Sequence, residues 1–439
     1  MRARPILRGM IAALALASAV PASAALSPAE RTMAAAVDAD YEPTIALLER
    51  LVNQNSGSMN LAGVKKIADM VRPELEALGF SVAWKPMDAA KRAGHIIATH
   101  TGRAGTTRML LIGHLDTVFE ADSPFQTFRR EGDRATGPGV GDDKGGVAIM
   151  LTALRAMKAA GTLKDANIEI VLTGDEEDVG EPKDIARADL IAAGKRADVA
   201  LDFEGLARED GKDMGSIARR SSNSWTLTAT GKSGHSSGIF SASAGDGAIY
   251  ELARILAAFR KELPEPNLTF NVGLIGGGQS AEVDADGVRI AVTGKTNIIA
   301  PIAVAKGDFR TLSQEQTDRV MARMKAIAQS GHLSGTSATI TFDQGYPAMA
   351  PTPGNSALLG KLNAVNADLG LAAMPPLDPL KRGAGDIAFV AADTDGLVGL
   401  GMASSGDHSP AEAADLASIR RQGKRAAILM SRLAREKAR

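Results

Sequence analysis

The sequence predicts an α/β protein: a mixed, largely parallel sheet flanked by helices and interrupted by an inserted α+β segment. From about residue 25 to residue 215, helical segments alternate with short apolar runs, typical of strands buried in a parallel sheet: RMLLIGHLD, IEIVLTGDEE and ADVALDFEG. From about residue 220 to 345 the order becomes β-α-β-β-α-β, after which the first pattern resumes. We therefore predict one domain from residues 25–219 and 346–439, and an inserted, ferredoxin-like domain from residues 220–345.

The first 24 residues have the pattern of a secretory signal peptide. Arg2, Arg4 and Arg8 precede the apolar run MIAALALASAV, and the small residues PASA end at Ala24, the expected cleavage site. No later run approaches the roughly 20 apolar residues that a membrane helix needs. We expect residues 1–24 to be removed, and the mature protein to be soluble, periplasmic or secreted, with no membrane partner.

The composition limits the chemistry. The chain has 439 residues, of which 45% are hydrophobic, so it can bury a substantial core. Its 50 Lys and Arg residues nearly balance its 51 Asp and Glu residues, so no basic surface for nucleic acid is expected. Because there is no cysteine, disulfides and thiolate metal sites are excluded. Any bound metal must be held by histidine and carboxylate.

Four helices carry most of the predicted architecture. One is expected from about Lys144 to Ala160, just past Asp142 and Asp143, whose carboxylates would lie near its positive N-terminal end. Two more are expected within residues 246–263 and 313–330 of the inserted segment, and a helix rich in Arg and Lys closes the chain.

The first candidate site follows the apolar run that ends at His114. Residues i and i+2 of an extended segment point the same way, so Asp116 can lie beside the His114 ring. A metal-bound imidazole usually gives its other N–H to a carboxylate, so the pair is typical of a metal site. A strand-end histidine with an incidental acid is the alternative.

The second candidate is GPGVGDDKGG, residues 137–146. Its glycines suggest a nucleotide loop, but no Ser or Thr follows the GK of a Walker motif, and two carboxylates would repel a phosphate. Asp142 and Asp143 suit a cation instead. The alternative is a solvated helix cap with one additional acid.

The third candidate is the acidic run after a strand, TGDEED. The side chains of the adjacent residues Glu176 and Glu177 diverge, which suits one carboxylate binding a metal while the other acts as a general base. Asp175 and Asp178 receive no role. Taken alone, this run also fits a plain acidic loop.

Two further features complete the set of polar side chains at strand and loop ends. Asp202 and Glu204 lie on the same side of a strand end, and His408 lies in the loop SSGDHSPAE. Ligands of α/β proteins collect outside the carboxyl ends of the strands, so all five features are expected at one edge of the sheet.

From about Ile45 to the C-terminus, the chain resembles the zinc aminoacylase and glutamate carboxypeptidase family of co-catalytic metallopeptidases. Seven motifs carry the resemblance, in this order along the chain: GHLDTV, GPGVGDDKGG, DEE, ADVALDFE, GHSSG, TNIIAP and GDHS. The resemblance implies two zinc ions per subunit, with Asp142 bridging them. It implies His114 and Glu204 as the other ligands of one ion, and Glu177 and His408 as those of the second. Glu176 resembles the general base and Asp116 the acid that supports His114. In this family the peptide bond at the Asp142 position is an unusual cis bond.

The resemblance also implies roles outside the metal ligands. In the family, the inserted domain serves as a dimerisation and lid domain, and His235 matches a histidine that reaches across a homodimer to help stabilise the oxyanion. Asn297 and Arg310 resemble residues that bind the free carboxylate of the substrate. Gly383 and Gly385 resemble a glycine-rich loop that lines the pocket.

Together with the signal-peptide pattern, the resemblance implies an exported zinc-dependent exopeptidase that hydrolyses an amide or peptide bond next to a free carboxylate and releases C-terminal glutamate or a similar amino acid. The substrate would be a small peptide or N-acyl amino acid. A general dipeptidase or N-acyl-amino-acid amidohydrolase is the alternative enzyme. A periplasmic peptide- or metal-binding protein is the non-enzyme alternative, which Glu176 disfavours because a binder needs no base.

Overall fold

The structure, a computed structural model, describes residues 26–438. The predicted signal peptide, residues 1–24, lies outside these residues, so its prediction stays untested. Among residues 26–438, no helix combines the length and apolar character needed to cross a membrane.

The described residues form ten α-helices and twenty-one strands. The helices are α1 (Pro28–Ala39), α2 (Tyr41–Val52), α3 (Leu61–Leu78), α4 (Lys144–Ala159), α5 (Lys183–Ala186), α6 (Ala188–Arg196), α7 (Ala248–Glu262), α8 (Gln314–Ala328), α9 (Pro353–Asp368) and α10 (Ser418–Leu433). The strands are β1 (Ser81–Met87), β2 (Arg92–His100), β3 (Arg108–His114), β4 (Arg129–Glu131), β5 (Arg134–Thr136), β6 (Asn167–Thr173), β7 (Val199–Asp202), β8 (Arg208–Glu209), β9 (Lys212–Asp213), β10 (Ser222–Thr230), β11 (Gly234–His235), β12 (Thr269–Phe270), β13 (Leu274–Gly278), β14 (Ser280–Val283), β15 (Ile290–Thr293), β16 (Ile298–Ile299), β17 (Ile302–Arg310), β18 (Ser337–Tyr346), β19 (Asp395–Val398), β20 (Ala403–Ser405) and β21 (Ala413–Asp415).

The central sheet has the strand order β1-β2-β6-β3-β7-β19. Neighbours from β6 to β19 are parallel, whereas β2 is antiparallel to both β1 and β6. This confirms the predicted mixed, largely parallel sheet. The parallel strands read as continuous apolar runs because helices cover both faces of the sheet.

Helix α4 packs under the metal-site candidates because its first turn contains two glycines, Gly145 and Gly146. A Cβ at Gly146 would lie 2.0 Å from the Phe203 carbonyl oxygen, so only glycine allows the helix to approach the end of β7. The rest of α4 is almost completely buried, with Leu151 and Leu154 inaccessible to solvent. The chain thereby fixes Asp142, just before the helix, against the strand ends.

The inserted segment forms its own sheet, in the order β18-β10-β17 with β12 and β13 both on β17, and every pairing is antiparallel. Helices α7 and α8 pack on it, around a core separate from that of the central sheet and centred on Trp225, Phe259 and Phe309. The strand order is the ferredoxin-like one that the sequence predicts. The predicted domain limits, residues 220 and 345, stay a prediction.

The chain enters and leaves this segment at one place. Ser222, the first residue of β10, pairs with Tyr346, the last residue of β18. Just outside them, Arg219 and Met349 exchange two backbone hydrogen bonds of 2.9 Å. Two adjacent extended chains therefore connect the inserted segment to the central sheet.

The predicted helices are confirmed with small differences at their ends. Helix α4 begins at Lys144 as expected, and α7, α8 and α10 occupy the three other predicted positions. Not predicted were the β14–β15 hairpin and the small sheet β20-β21-β5-β4. These strands are only three or four residues long, too short for alternation to reveal.

Candidate metal centre

The polar residues singled out in the sequence converge at the carboxyl edge of the central sheet. His114 ends β3, Glu176 and Glu177 follow β6, and Glu204 follows β7. Asp142 directly precedes the Asp143 cap of α4, and the Asp142–Asp143 peptide bond is cis, as the family resemblance implied. His408 approaches from the loop between β20 and β21.

Asp142 lies between two imidazole rings. One of its carboxylate oxygens is 3.0 Å from His114 Nε2, and the other is 3.2 Å from His408 Nε2. His408 Nε2 is also 3.1 Å from Glu177 Oε2. His114, Asp142 and Glu177 each offer one ligand atom within 4.8 Å of the others. A carboxylate with one histidine on each oxygen is suited to bridge two cations.

Asp116 is fully buried and supports three parts of the site. Its Oδ1 lies 3.3 Å from His114 Nδ1, on the ring side opposite Asp142. The same oxygen accepts the Glu176 N–H at 3.0 Å, while Oδ2 accepts the Glu177 N–H at 3.0 Å and the Ser58 hydroxyl at 2.6 Å. Asp116 therefore orients the histidine and the acidic loop together.

Glu204 is held by two arginines. Its carboxylate forms an ion pair with Arg219, and Arg382 Nη2 lies 3.5 Å away. Arg219 also donates to the carbonyl groups of Gly383 and Ala384. Glu204 lies beside the group of His114, Asp142 and Glu177 without being part of it. Sequence reasoning missed Arg219, which lies three residues before the start of β10.

Glu412 is a second residue that sequence reasoning missed. Its carboxylate accepts the N–H groups of Gly139, Gly141 and Asp142 at 2.9 to 3.2 Å. It therefore ties the loop after His408 to the glycine-rich loop that carries Asp142. The motif SPAE gives no signal for this, because a single loop glutamate is ordinarily solvated.

The acidic run of residues 175–178 divides into separate roles. Asp175 is fully buried and forms an ion pair with Arg187 at 2.6 Å. Asp178 is largely exposed and pairs with Arg92 at 2.8 Å. The two flanking acids are thus engaged away from the metal-site candidates, whereas Glu176 and Glu177 between them border the site.

Burial shifts the pKa of most acids in the site. Burial, reinforced by the charge of Glu204, raises the pKa of Glu176 well above its ordinary value. Burial likewise raises the pKa of Glu177 to about 7. Burial also opposes ionisation of Asp142, but hydrogen bonds from His114 and His408 outweigh it and lower the pKa of that carboxyl. Hydrogen bonds to Asp142 and Glu177 raise the pKa of His408 to about 11.

The donor set fits a metal of the zinc type. Zinc takes imidazole nitrogen and carboxylate oxygen ligands, and both kinds converge here. The raised pKa values of Glu176 and Glu177 reflect acids that are crowded in a buried volume, a strain that a divalent cation relieves.

The remaining predicted residues lie outside this cluster. Within residues 26–438, the His235 ring hydrogen-bonds only with Ser237 of its own loop, and both His235 and Asn297 are exposed. Arg310 ends β17, with its Nε 3.7 Å from Asp308. A Cβ on Gly383 would lie 3.9 Å from Arg310 Nη1, so the inserted segment approaches the glycine-rich loop at this point.

The fold and the site together define a two-domain metallopeptidase. The family model described as peptidase family M20/M25/M40 matches residues 110–432, and the chain belongs to this family. The family is metal-dependent, and its members support a hydrolase that acts on peptide or acyl-amino acid bonds. The resemblance seen in the sequence is thereby confirmed, as is the assignment of the chain as an enzyme.

Particular relatives include carboxypeptidase G2 of Pseudomonas sp. strain RS-16, 28% identical over 428 residues, which cover 95% of this chain and 96% of that one. A succinyl-diaminopimelate desuccinylase of Leptothrix cholodnii is 29% identical over 202 residues, covering 44% of this chain and 52% of that one. An M20 family metallo-carboxypeptidase of Sulfolobus solfataricus has the same fold, with a TM-score of 0.64, 15% identity, and coverage of 89% and 99%.

The two glycines of the pocket loop provide a matched test of the packing around Glu204. A Cβ at Gly385 would lie 2.6 Å from Glu204 Oε1 and from Arg219 Cζ, whereas Gly383 faces only the tip of Arg310. Gly385→Ala should therefore displace Glu204 and lower kcat/KM about 100-fold, the scale of an ångström-sized misplacement. Gly383→Ala should stay within about twofold. Equal losses in steady-state assays of both variants would contradict this view of the site.

Proposed function

We propose that the protein is an exported, zinc-dependent exopeptidase that hydrolyses an amide or peptide bond next to a free carboxylate. The observation that carries the proposal is Asp142 lying between His114 and His408, with Glu176 and Glu177 beside it. The match to carboxypeptidase G2 over 95% of the chain supports release of a C-terminal glutamate or a similar amino acid.

Five residues would hold two zinc ions per subunit: His114, Asp142, Glu177, Glu204 and His408. Asp142 would be shared between the two ions, since each of its oxygens already faces one histidine. For Glu204 to act as a ligand, Arg219 must give up part of its ion pair. When bound, zinc would supply a Lewis acid for the substrate carbonyl and would lower the pKa of a bound water towards about 7.

Glu176 would act as the general base. Its carboxylate accepts a proton from the attacking water and delivers it to the nitrogen that leaves as the amide bond breaks. Asp116 fixes this group indirectly, because it accepts the N–H groups of both Glu176 and Glu177. The same carboxylate sets the tautomer and orientation of His114.

The inserted segment would contribute the substrate-binding residues and a dimer interface. Arg310 and Asn297 would bind the free carboxylate, with Gly383 and Gly385 lining the pocket. His235 is exposed and is not part of the cluster in its own chain, which suits a histidine that stabilises the oxyanion of a partner subunit. Mixing inactive His235→Ala and Glu176→Ala chains should restore part of the activity through hybrid dimers. A chain that sediments as a monomer would refute the homodimer.

Replacement of Glu176 tests the base. Glu176→Gln keeps the size of the side chain but cannot accept a proton, so kcat should fall about 10²- to 10⁴-fold. Metal content, measured by elemental analysis, should be unchanged. Asp178→Asn is the matched control, because this neighbouring acid is largely exposed and paired with Arg92. Retained turnover in Glu176→Gln would remove the base assignment.

Removal of metal tests the ligand set. Several buried carboxylates repel one another, so a bound cation should stabilise the folded state by mass action, by roughly 2.7 kcal/mol at a metal concentration 100 times Kd. A chelator should therefore lower Tm, and zinc should restore it. His114→Ala should weaken this response. A Tm that is indifferent to the chelator would contradict a resident metal.

The substrate class is tested by a turnover screen of the zinc-loaded protein against folyl-glutamate, dipeptides, N-acyl amino acids and N-succinyl amino acids. The proposal expects the highest kcat/KM with a C-terminal glutamate. The match to succinyl-diaminopimelate desuccinylase favours a second candidate function, that of an N-acyl-amino-acid amidohydrolase. A higher kcat/KM with N-acyl substrates than with peptides would favour this second candidate. Export is tested by cell fractionation. A protein found in the cytoplasm with residues 1–24 still attached would refute export.

A further inference from the structure

The backbone on both sides of Glu176 is fixed by hydrogen bonds. Its N–H donates to Asp116 Oδ1 at 3.0 Å, and its carbonyl oxygen accepts the Tyr346 hydroxyl at 2.6 Å. The next residue, Glu177, donates its N–H to the other oxygen of Asp116 at 3.0 Å. The clamp on the amino side comes from the central sheet, whereas the clamp on the carbonyl side comes from the end of β18.

Arg187 fixes the direction in which the Tyr346 hydroxyl points. Its guanidinium Nη2 lies 2.9 Å from the Tyr346 oxygen. A guanidinium can only donate hydrogen bonds, so the phenol oxygen must accept this one. The Tyr346 hydroxyl therefore uses its own proton to donate a hydrogen bond to the carbonyl oxygen of Glu176.

Arg187 itself is immobilised by buried partners. Its side chain is inaccessible to solvent. It donates hydrogen bonds from Nη1 to Asp175 Oδ1 at 2.6 Å and from Nε to Asp386 Oδ1 at 2.8 Å. The other oxygen of Asp386 accepts the hydroxyl of Thr173 at 2.6 Å, at the end of β6. Charge-assisted hydrogen bonds of this kind are short and rigid, so the Arg187 fork is held in one geometry.

The position of Tyr346 gives this contact its significance. Tyr346 pairs with Ser222 where the two connecting chains join the inserted segment to the central sheet. Its ring packs edge-on against Phe389 at a centroid distance of 5.0 Å, just past the glycine-rich pocket loop. The hydroxyl therefore links the junction between the two sheets directly to the peptide that carries Glu176.

We propose that Tyr346, aligned by Arg187, is a positioning residue that holds the Glu176 carboxylate in register for proton transfer and ties it to the junction with the inserted segment. The proposal rests on the proposed function in so far as Glu176 is the base. Neither Tyr346 nor Arg187 contacts the reacting atoms in this role; both act through the main chain of Glu176.

Tyr346→Phe tests the proposal because it removes only the hydroxyl and keeps the ring against Phe389 and Arg187. We expect kcat to fall about tenfold with KM and metal content unchanged, the result of a misplaced base. The solvent deuterium isotope effect on kcat should rise, because proton transfer becomes more rate-limiting. Tyr41→Phe is the matched control: it removes a partly buried tyrosine hydrogen bond, to Asp133 at 3.0 Å, far along the chain from the acidic loop.

A double variant separates positioning of the base from a general structural effect. In a Glu176→Gln background, Tyr346→Phe should change the residual kcat by less than about twofold, because residues that act as a unit are not additive. A tenfold loss in both backgrounds would overturn the proposal. So would a kcat in Tyr346→Phe no lower than in Tyr41→Phe.

Amide hydrogen exchange gives a readout that does not depend on activity. Exchange of the peptide covering residues 174–178 should be faster in Tyr346→Phe than in the parent protein, and unchanged in Tyr41→Phe. Unchanged exchange in Tyr346→Phe would overturn the proposal even if activity fell. If Glu176→Gln is fully active but exchange responds as expected, the base assignment fails and the positional link between Tyr346 and this segment stands.

Discussion

The buried carboxylate of Asp116 is the constraint on which the site depends. It follows β3 and receives the main-chain N–H groups of two residues that follow β6, so the ends of neighbouring strands are joined by one side chain. The same group lies against the His114 ring. A carboxylate with this many donors is satisfied without water, which is the usual condition for burying an acid. His114, Glu176 and Glu177 are therefore positioned as a single unit.

Around this unit the chain balances an unusual concentration of negative charge. Asp142 is neutralised by two imidazoles, and Glu204 by Arg219 and Arg382. Asp143 and Asp202 lie deeper, each with one oxygen that lacks a hydrogen-bond partner among the described residues, and burial raises the pKa of both. Buried like charges disfavour the ionised forms unless a cation is present. The charge state of each acid at this edge of the sheet therefore depends on all of the neighbouring charged groups together, more than on any single ion pair.

The sequence predicted the parts of the site that depend on local geometry. The i, i+2 spacing placed Asp116 beside His114, and the helix beginning at Lys144 placed Asp142 at the sheet edge. It could not predict Arg187, which lies in the polar run KDIARAD and looks like a residue on an exposed helix. Its partner Asp386 is 199 residues away along the chain. Glu412 and the loop at Asp142 are likewise 270 residues apart. Contacts of that kind are created by the topology, and no local pattern records them.

The paired connections at Ser222 and Tyr346 have a consequence for how this architecture can change. The two chain segments that leave the central sheet lie side by side, as neighbouring strands do, about 5 Å apart. A segment spliced in at such a point neither threads through the host sheet nor separates its strands. The free-energy cost of closing a loop rises by only about 0.6 kcal/mol when the loop length doubles. Lengthening the inserted segment therefore hardly alters the stability of the central sheet. The inserted segment can therefore gain or lose hairpins such as β14–β15, and diversify its surface, while the sheet edge that carries the candidate metal site keeps its geometry.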